Sequence, residues 1–276
     1  MSKTEQQLQE SQPGPKVMTH RIWPALAAAG AVVGLGALLA LLVSQSPQRL
    51  PDFSTISDIP ERKQAFFGFL APIVEAENER VLEQRERLLT LTERIRAGER
   101  LGWLDRRWLD SLADFYEVSW SPDLAEPERL EAIEMLERRV DAVPVPLALV
   151  QAATESGWGR SRFATEGNNL FGHWCYEPGC GLVPARRNEE ALHEVAAFDS
   201  VSDAVSRYLY NLNTHAAYAP LRAIRARMRQ QGESPTAMAL ADGLLLYSER
   251  REAYVDEIKT VIRVNRPIIA QVRETL

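Results

Sequence analysis

One stretch of the chain decides its fold: Leu147-Ala-Leu-Val-Gln-Ala-Ala-Thr-Glu155-Ser-Gly-Trp-Gly159. Its residues up to Glu155 are apolar on most faces, which is typical of a buried helix. A glutamate at the end of such a helix, beside the indole of Trp158, is partly desolvated, and desolvation raises the pKa of a carboxyl group. A general acid needs such a pKa to hold its proton near neutral pH. The alternative is that Glu155 caps the helix end or pairs locally.

Helical periodicity continues on both sides of this stretch. Apolar residues recur at helical spacing in six further segments: 61–97, 103–116, 126–140, 199–212, 221–231 and 252–264. Strand signals are scarce, and the best is 193–198, which we expect to pair with 181–186 as a small ribbon. The sequence therefore predicts an all-helical or α+β domain of roughly 200 residues.

A long uncharged segment lies near the N-terminus. Residues 23–43 carry no charge, and roughly 20 apolar residues match the hydrocarbon thickness that a transmembrane helix crosses. A cleaved signal peptide and a buried core helix are the alternatives. Lys3, Lys16 and Arg21 precede the segment and Arg49 follows it closely, so the positive-inside rule predicts a cytoplasmic N-terminus. The large C-terminal part then faces the periplasm.

Composition limits the partners. The chain has 276 residues, a net charge of −6 and a pI of about 5.4. This balance lacks the basic excess that binds the phosphates of nucleic acid, so we expect no nucleic-acid partner. Protein partners are not identifiable from the sequence.

Several segments in matching order carry a resemblance to a known family. Beside 151–161 they are Lys63-Gln-Ala-Phe-Phe67, Val74-Glu-Ala-Glu-Asn78, Asp105-Arg-Arg-Trp108, Gly167-Asn-Asn-Leu-Phe-Gly172, Trp174-Cys-Tyr-Glu-Pro-Gly-Cys180-Gly-Leu-Val-Pro184, Asn211-Leu-Asn-Thr-His215, Tyr247-Ser-Glu-Arg250 and Tyr254-Val-Asp-Glu-Ile258. The chain resembles the glucosaminidase domain of glycoside hydrolase family 73, and more specifically the Bax-type proteins of Gram-negative bacteria.

The resemblance implies a mainly α, lysozyme-like helical domain with a small β-lobe that acts on peptidoglycan. We expect this domain to follow one transmembrane helix in the inner membrane and to be an endo-β-N-acetylglucosaminidase without a cofactor. We accordingly divide the chain into a cytoplasmic tail, an anchor, a Pro- and Ser-rich linker, a helical extension and a glucosaminidase domain: 1–22, 23–43, 44–60, 61–140 and 141–276.

The resemblance identifies Glu155 as the catalytic acid and leaves its partner open. Most glycosidases use a second carboxylate, and the matching β-lobe region offers Glu189, Glu190 and Glu194. Each of these can equally be a solvated surface charge. Tyr218 is a further candidate that orients substrate or water, with core packing as its alternative. The acetamido group of the substrate can also replace a protein nucleophile.

Aromatic and amide side chains are the candidates for substrate binding, because rings stack on sugars and amides both donate and accept hydrogen bonds. The candidates are Trp158, Asn168, Asn169, Phe171, Trp174 and Tyr176. For the aromatic residues the alternative is the core, and for the two asparagines it is closure of their loop by Asx turns.

The cysteines enclose the turn-forming sequence Tyr-Glu-Pro-Gly. Outside the cytosol, Cys175 and Cys180 are expected to form a short disulfide. The competing interpretation is a metal site with His173 and His193, but this spacing fits no standard zinc pattern. We therefore expect no metal.

Two other functions compete with hydrolysis. A lytic transglycosylase can operate with one glutamate, although the usual Gly-Leu-Met-Gln-like segment is replaced here by Asn-Asn-Leu-Phe-Gly. A non-catalytic module that binds or organises peptidoglycan is the third possibility.

Overall fold

The computed structural model describes residues 49–184 and 193–275. The expected anchor at 23–43, together with Glu189 and Glu190, lies outside these residues. Among the helices of the described part, none combines the length and the apolar character needed to cross a membrane.

The described residues are mainly helical, as the sequence predicts. The helices are α1 (Ile59–Arg96), α2 (Trp103–Phe115), α3 (Glu126–Arg139), α4 (Val145–Ser156), α5 (Arg162–Gly167), α6 (Val201–Thr214), α7 (Ala219–Gln230), α8 (Ala237–Ala241) and α9 (Glu252–Glu274). Three short 3₁₀ turns lie at Phe53–Thr55, Ala216–Tyr218 and Asp242–Leu244.

A small antiparallel sheet accompanies the helices. Its strands are β1 (Trp174–Cys175), β2 (Gly181–Leu182) and β3 (Glu194–Ala196), with β3 in the centre. Leu182 faces Val195 across β2 and β3, so the predicted ribbon is confirmed there. Trp174 also faces Val195, from the other side, and this third strand was not predicted.

The main core surrounds α4. Leu147, Ala148, Leu149 and Val150 are fully buried, because α1, α8 and α9 pack around the helix. The first half of α1 enters this core through residues such as Phe66. The predicted burial of the central helix is therefore confirmed.

Two segments differ from their predictions. α9 continues ten residues past the predicted end at Val264, because Ile269 and Val272 extend its buried stripe.

The predicted linker at 44–60 is docked on the domain where the structure describes it. Phe53 is buried there, with its ring centroid 5.4 Å from that of Phe66. A single aromatic residue, Phe53, supplies that contact. One apolar residue in a Pro- and Ser-rich segment forms no periodic pattern, so the sequence did not predict the docking.

A second, smaller core lies under the other half of α1. Leu88 of α1, Leu109 of α2, and Ile133 and Leu136 of α3 are fully buried in it. The extension therefore has a hydrophobic core of its own, and α1 belongs to both cores.

A buried ionic cluster joins the two cores between α3 and α4. The carboxylate of Asp141 receives hydrogen bonds from Arg229 at 3.2 and 3.0 Å, and Arg225 Nε lies 3.7 Å away. Arg225 also donates to the carbonyls of Arg138 and Ala142 at 2.9 and 3.1 Å. Burial lowers the pKa of the Arg225 guanidinium to about 10.

We expect Asp141→Asn to lower the free energy of unfolding by about 3 kcal/mol, because removal of one partner leaves a buried charge uncompensated. Urea unfolding followed by circular dichroism measures it. Glu134→Gln is the control, because Glu134 pairs with Arg138 at an exposed position and such pairs contribute at most about 1 kcal/mol. Equal effects of the two substitutions would contradict the role of Asp141.

Candidate active site

Glu155 lies in the last turn of α4, where the chain reverses sharply. Gly157, Trp158 and Gly159 all have left-handed backbones, with φ of 58, 62 and 74°. The Ser156 hydroxyl supports this turn, since it donates to the carbonyl of Ala152 at 2.6 Å and accepts the N–H of Gly159 at 2.8 Å. The motif therefore ends the helix and presents Glu155 at a fixed point.

Position 159 also requires glycine for reasons of space. A Cβ there would lie 2.8 Å from the ring of Phe53. The turn after Glu155 thus packs directly on the segment that precedes α1.

The ring of Trp158 packs against α1. Its centroid lies 5.8 Å from that of Phe66 and 5.2 Å from that of Phe67. Lys63 Nζ lies 5.0 Å from the same ring. These contacts favour the core alternative for Trp158, because its ring packs against the main hydrophobic core.

Burial controls the protonation of Glu155. Desolvation is the largest effect and raises the pKa of its carboxyl group. A hydrogen bond from Tyr254 and the positive charge of Arg250 act in the opposite direction, and the charge of Glu257 raises the pKa further. The net shift is upward, as the sequence predicts for an acid that keeps its proton.

Tyrosines form the surroundings of Glu155. The ring of Tyr218 lies 5.8 Å from that of Tyr247, which stacks on Tyr254 at 5.5 Å. Burial raises the pKa of Tyr218, and the charge of Glu155 raises it further. The fold therefore brings the predicted Tyr218 close enough to Glu155 for the charge of Glu155 to raise its pKa. The phenol of Tyr218 stays neutral.

The loop after α5 passes directly beside Glu155. Gly172 is exposed, and a Cβ at this position would lie 3.7 Å from Glu155 Oε2. Phe171, the preceding residue, is buried and stacks on Tyr208 with ring centroids 4.1 Å apart. Its carbonyl accepts the Tyr247 hydroxyl at 2.9 Å. The contacts of Phe171 thus fix the loop in place, and Gly172 lies next to the carboxyl of Glu155.

Both predicted asparagines bond to the backbone, partly within their own loop and partly on β3 and the segment after it. Asn169 donates to the carbonyls of His173 and Ala196 at 2.9 and 2.8 Å, and accepts the N–H of His173 at 3.0 Å. Asn168 donates to the carbonyl of Phe198 at 2.9 Å. These bonds engage the two amides with the backbone, which favours a structural role for them over contact with a ligand.

The predicted disulfide is confirmed. Cys175 and Cys180 are bonded, with Cα atoms 6.2 Å apart. Glu194 lies close to both sulfurs, but disulfide sulfurs are not the thiolates that a zinc site needs. Burial lowers the pKa of His173 to about 3. The arrangement fits a braced loop and does not fit the competing metal site.

Glu194, one of the three candidates for the second carboxylate, supports this loop. It is buried on β3, and its two oxygens accept the N–H groups of Gly179 at 3.1 Å and Gly181 at 2.9 Å. Trp174 on the neighbouring strand is 39% exposed, with its ring 4.2 Å from that of His193. Tyr176 is half-buried. Of these side chains, Trp174 offers the most exposed ring.

Sequence reasoning missed several residues around the acid. Gln151 lies one turn before Glu155 on α4, Tyr208 lies on α6, and the start of α9 with the loop before it supplies the others, which are Tyr247, Arg250, Tyr254 and Glu257. All of them except Tyr208 stand in segments that carried the family resemblance, which was the available signal. Their contact with Glu155 is a tertiary one, and such a contact produces no periodic pattern in the sequence.

These features describe a mainly helical domain with a half-buried carboxyl group at the end of its central helix, surrounded by tyrosines and bordered by Gly172. The protein-family model described as mannosyl-glycoprotein endo-beta-N-acetylglucosaminidase, named Glucosaminidase, matches residues 130–266. "Protein bax" of Escherichia coli (strain K12) is 31% identical over 229 residues, which cover 82% of this chain and 78% of that protein. The chain belongs to the family of Bax-type proteins with a glucosaminidase domain. No solved structure matches it.

We expect replacement of both cysteines by serine to lower the free energy of unfolding by about 2 kcal/mol, the entropy contribution of a small closed loop. Urea unfolding measures it, and reduction of the wild-type protein should have the same effect. Non-reducing mass spectrometry provides the independent check, and two free thiols in the native protein would contradict the bridge.

Proposed function

We propose that this protein hydrolyses glycosidic bonds in the glycan strands of peptidoglycan, as an endo-β-N-acetylglucosaminidase with Glu155 as the general acid. The observation that carries the proposal is the half-buried carboxyl of Glu155, whose pKa desolvation raises, inside the segment that matches the glucosaminidase family. A glycosidic oxygen needs a proton as it leaves, and a carboxylic acid that stays protonated near neutral pH supplies it.

The surroundings of Glu155 support access by a polymer. Gly172 has no side chain next to Glu155 Oε2, so a sugar unit can approach the acid closely. Trp174 on the β-lobe offers an exposed ring, which suits stacking on a pyranose.

The second catalytic group remains a set of candidates. Glu194 accepts two backbone N–H groups, which favours a supporting role for its carboxylate. Glu189, Glu190, a water held by Tyr218 and the acetamido group of the substrate are the others. The engagement of Glu194 also favours a second candidate function, a lytic transglycosylase, because such an enzyme operates with one glutamate.

We expect digestion of purified peptidoglycan to release new reducing N-acetylglucosamine ends, identified by mass spectrometry. Glu155→Gln should lower the rate by about 10²- to 10⁴-fold, the contribution of acid catalysis. Glu166→Gln is the matched control, because Glu166 is an exposed carboxylate paired with Arg162. Anhydromuramyl ends would identify a transglycosylase instead, and full activity of Glu155→Gln would refute the acid. Binding without any cleavage by the wild type would identify a non-catalytic module.

We also propose that residues 141–276 work in the periplasm, held at the inner membrane by residues 23–43. The Cys175–Cys180 disulfide supports this location, because disulfides persist outside the reducing cytosol. Protease added to spheroplasts should degrade the C-terminal part, whereas protection of that part would refute the orientation. A cytoplasmic protein serves as the control for intact cells.

A further inference from the structure

A chain of side-chain hydrogen bonds leads through α4 toward the acid. Gln151 and Glu155 are four residues apart on this helix and therefore share one face. Gln151 is fully buried. Its Nε2 donates to the Tyr254 hydroxyl at 3.0 Å, and its Oε1 accepts the Tyr208 hydroxyl at 2.7 Å.

The chemistry of these groups fixes the direction of each bond. An amide nitrogen donates and does not accept, so the oxygen of Tyr254 is the acceptor from Gln151. The hydrogen of Tyr254 is then free to point toward the carboxyl of Glu155, which lies one turn further along the same face of α4 and interacts with Tyr254. Tyr208 donates to the opposite end of the amide, which keeps the nitrogen of Gln151 turned toward Tyr254.

We propose that Gln151 is a positioning residue: its amide, oriented by Tyr208, turns the Tyr254 hydroxyl toward Glu155 and holds that carboxyl in the orientation for proton transfer. The proposal rests on the proposed function, in which Glu155 is the acid. None of these three residues was singled out by the sequence as part of the site.

Tyr254 contributes at the moment of transfer. The proton of Glu155 moves to the glycosidic oxygen, the bond from that oxygen to the anomeric carbon breaks, and its electron pair stays on the oxygen. Glu155 is left as a carboxylate. A hydrogen bond donated to a carboxylate stabilises the charged form, so Tyr254 favours the transfer while burial keeps the acid protonated beforehand.

Two other titratable groups of the described residues act on Glu155 by charge, Arg250 and Glu257. The charge of Glu155 in turn raises the pKa of the buried phenols of Tyr208, Tyr218 and Tyr247. Arg250 and Glu257 form an ion pair at 2.6 Å, and they shift the pKa of Glu155 in opposite directions. The interaction with the Tyr254 hydroxyl is therefore the one that the experiment must remove.

The test compares Tyr254→Phe, Gln151→Met and the double variant in the full-length chain, with soluble peptidoglycan oligosaccharides as substrate. Loss of the donor raises the pKa of Glu155, so the basic limb of the kcat–pH profile should move up by about one pH unit for Tyr254→Phe. We expect kcat to fall about tenfold, with KM nearly constant. Gln151→Met should shift the limb in the same direction by less.

Gln151 acts through Tyr254 in this proposal, so the double variant should match Tyr254→Phe. An unmoved basic limb in Tyr254→Phe, or additive effects in the double variant, would overturn it. Tyr116→Phe is the control for loss of a buried phenol, because its hydroxyl bonds Gln84 in the extension. It should leave the profile unchanged, and thermal unfolding establishes that each variant is folded.

A direct titration separates this proposal from the proposed function. In the ¹³C-glutamate-labelled protein, the side-chain carboxyl signal that disappears in Glu155→Gln belongs to Glu155. If the wild type cleaves no glycan, the proposed function fails, and this signal still reports whether Tyr254→Phe and Gln151→Met raise the pKa of Glu155. An unchanged pKa in both variants would refute the positioning role.

Discussion

The burial of α4 on most of its faces is the constraint on which the rest of the structure depends. A helix that is apolar on most faces needs neighbours around it, and α1, α8 and α9 provide them. The carboxyl of Glu155 sits at the end of this helix. Its desolvation is therefore a result of how the core is built. The same packing that stabilises the domain also raises the pKa of the acid.

Much of the fold could be predicted because its signals are local. The periodic apolar stripes give the seven long helices, and the alternation around Val195 gives the ribbon. What escaped prediction depends on distant partners. The six- and five-residue helices α5 and α8 are too short to establish a period. Phe53 can pack on the turn after Glu155 only because Gly159 has no side chain.

The site divides in the same way. Glu155 and the disulfide could be predicted from short motifs, because a desolvated carboxyl and a pair of nearby cysteines are features of adjacent residues. Composition alone cannot tell whether an amide faces a ligand or the backbone, and Asn169 bonds the backbone carbonyls of His173 and Ala196. Gln151 and Tyr254 are 103 residues apart, so their contact becomes visible only when α4 and α9 are packed together.

The continuity of α1 through both hydrophobic cores has a mechanical consequence. Its 38 residues extend over about 57 Å, and the ionic cluster around Asp141 joins the two cores a second time. Two attachments oppose the rotation that a single flexible joint would allow. The extension therefore keeps a constant orientation relative to the core that carries Glu155.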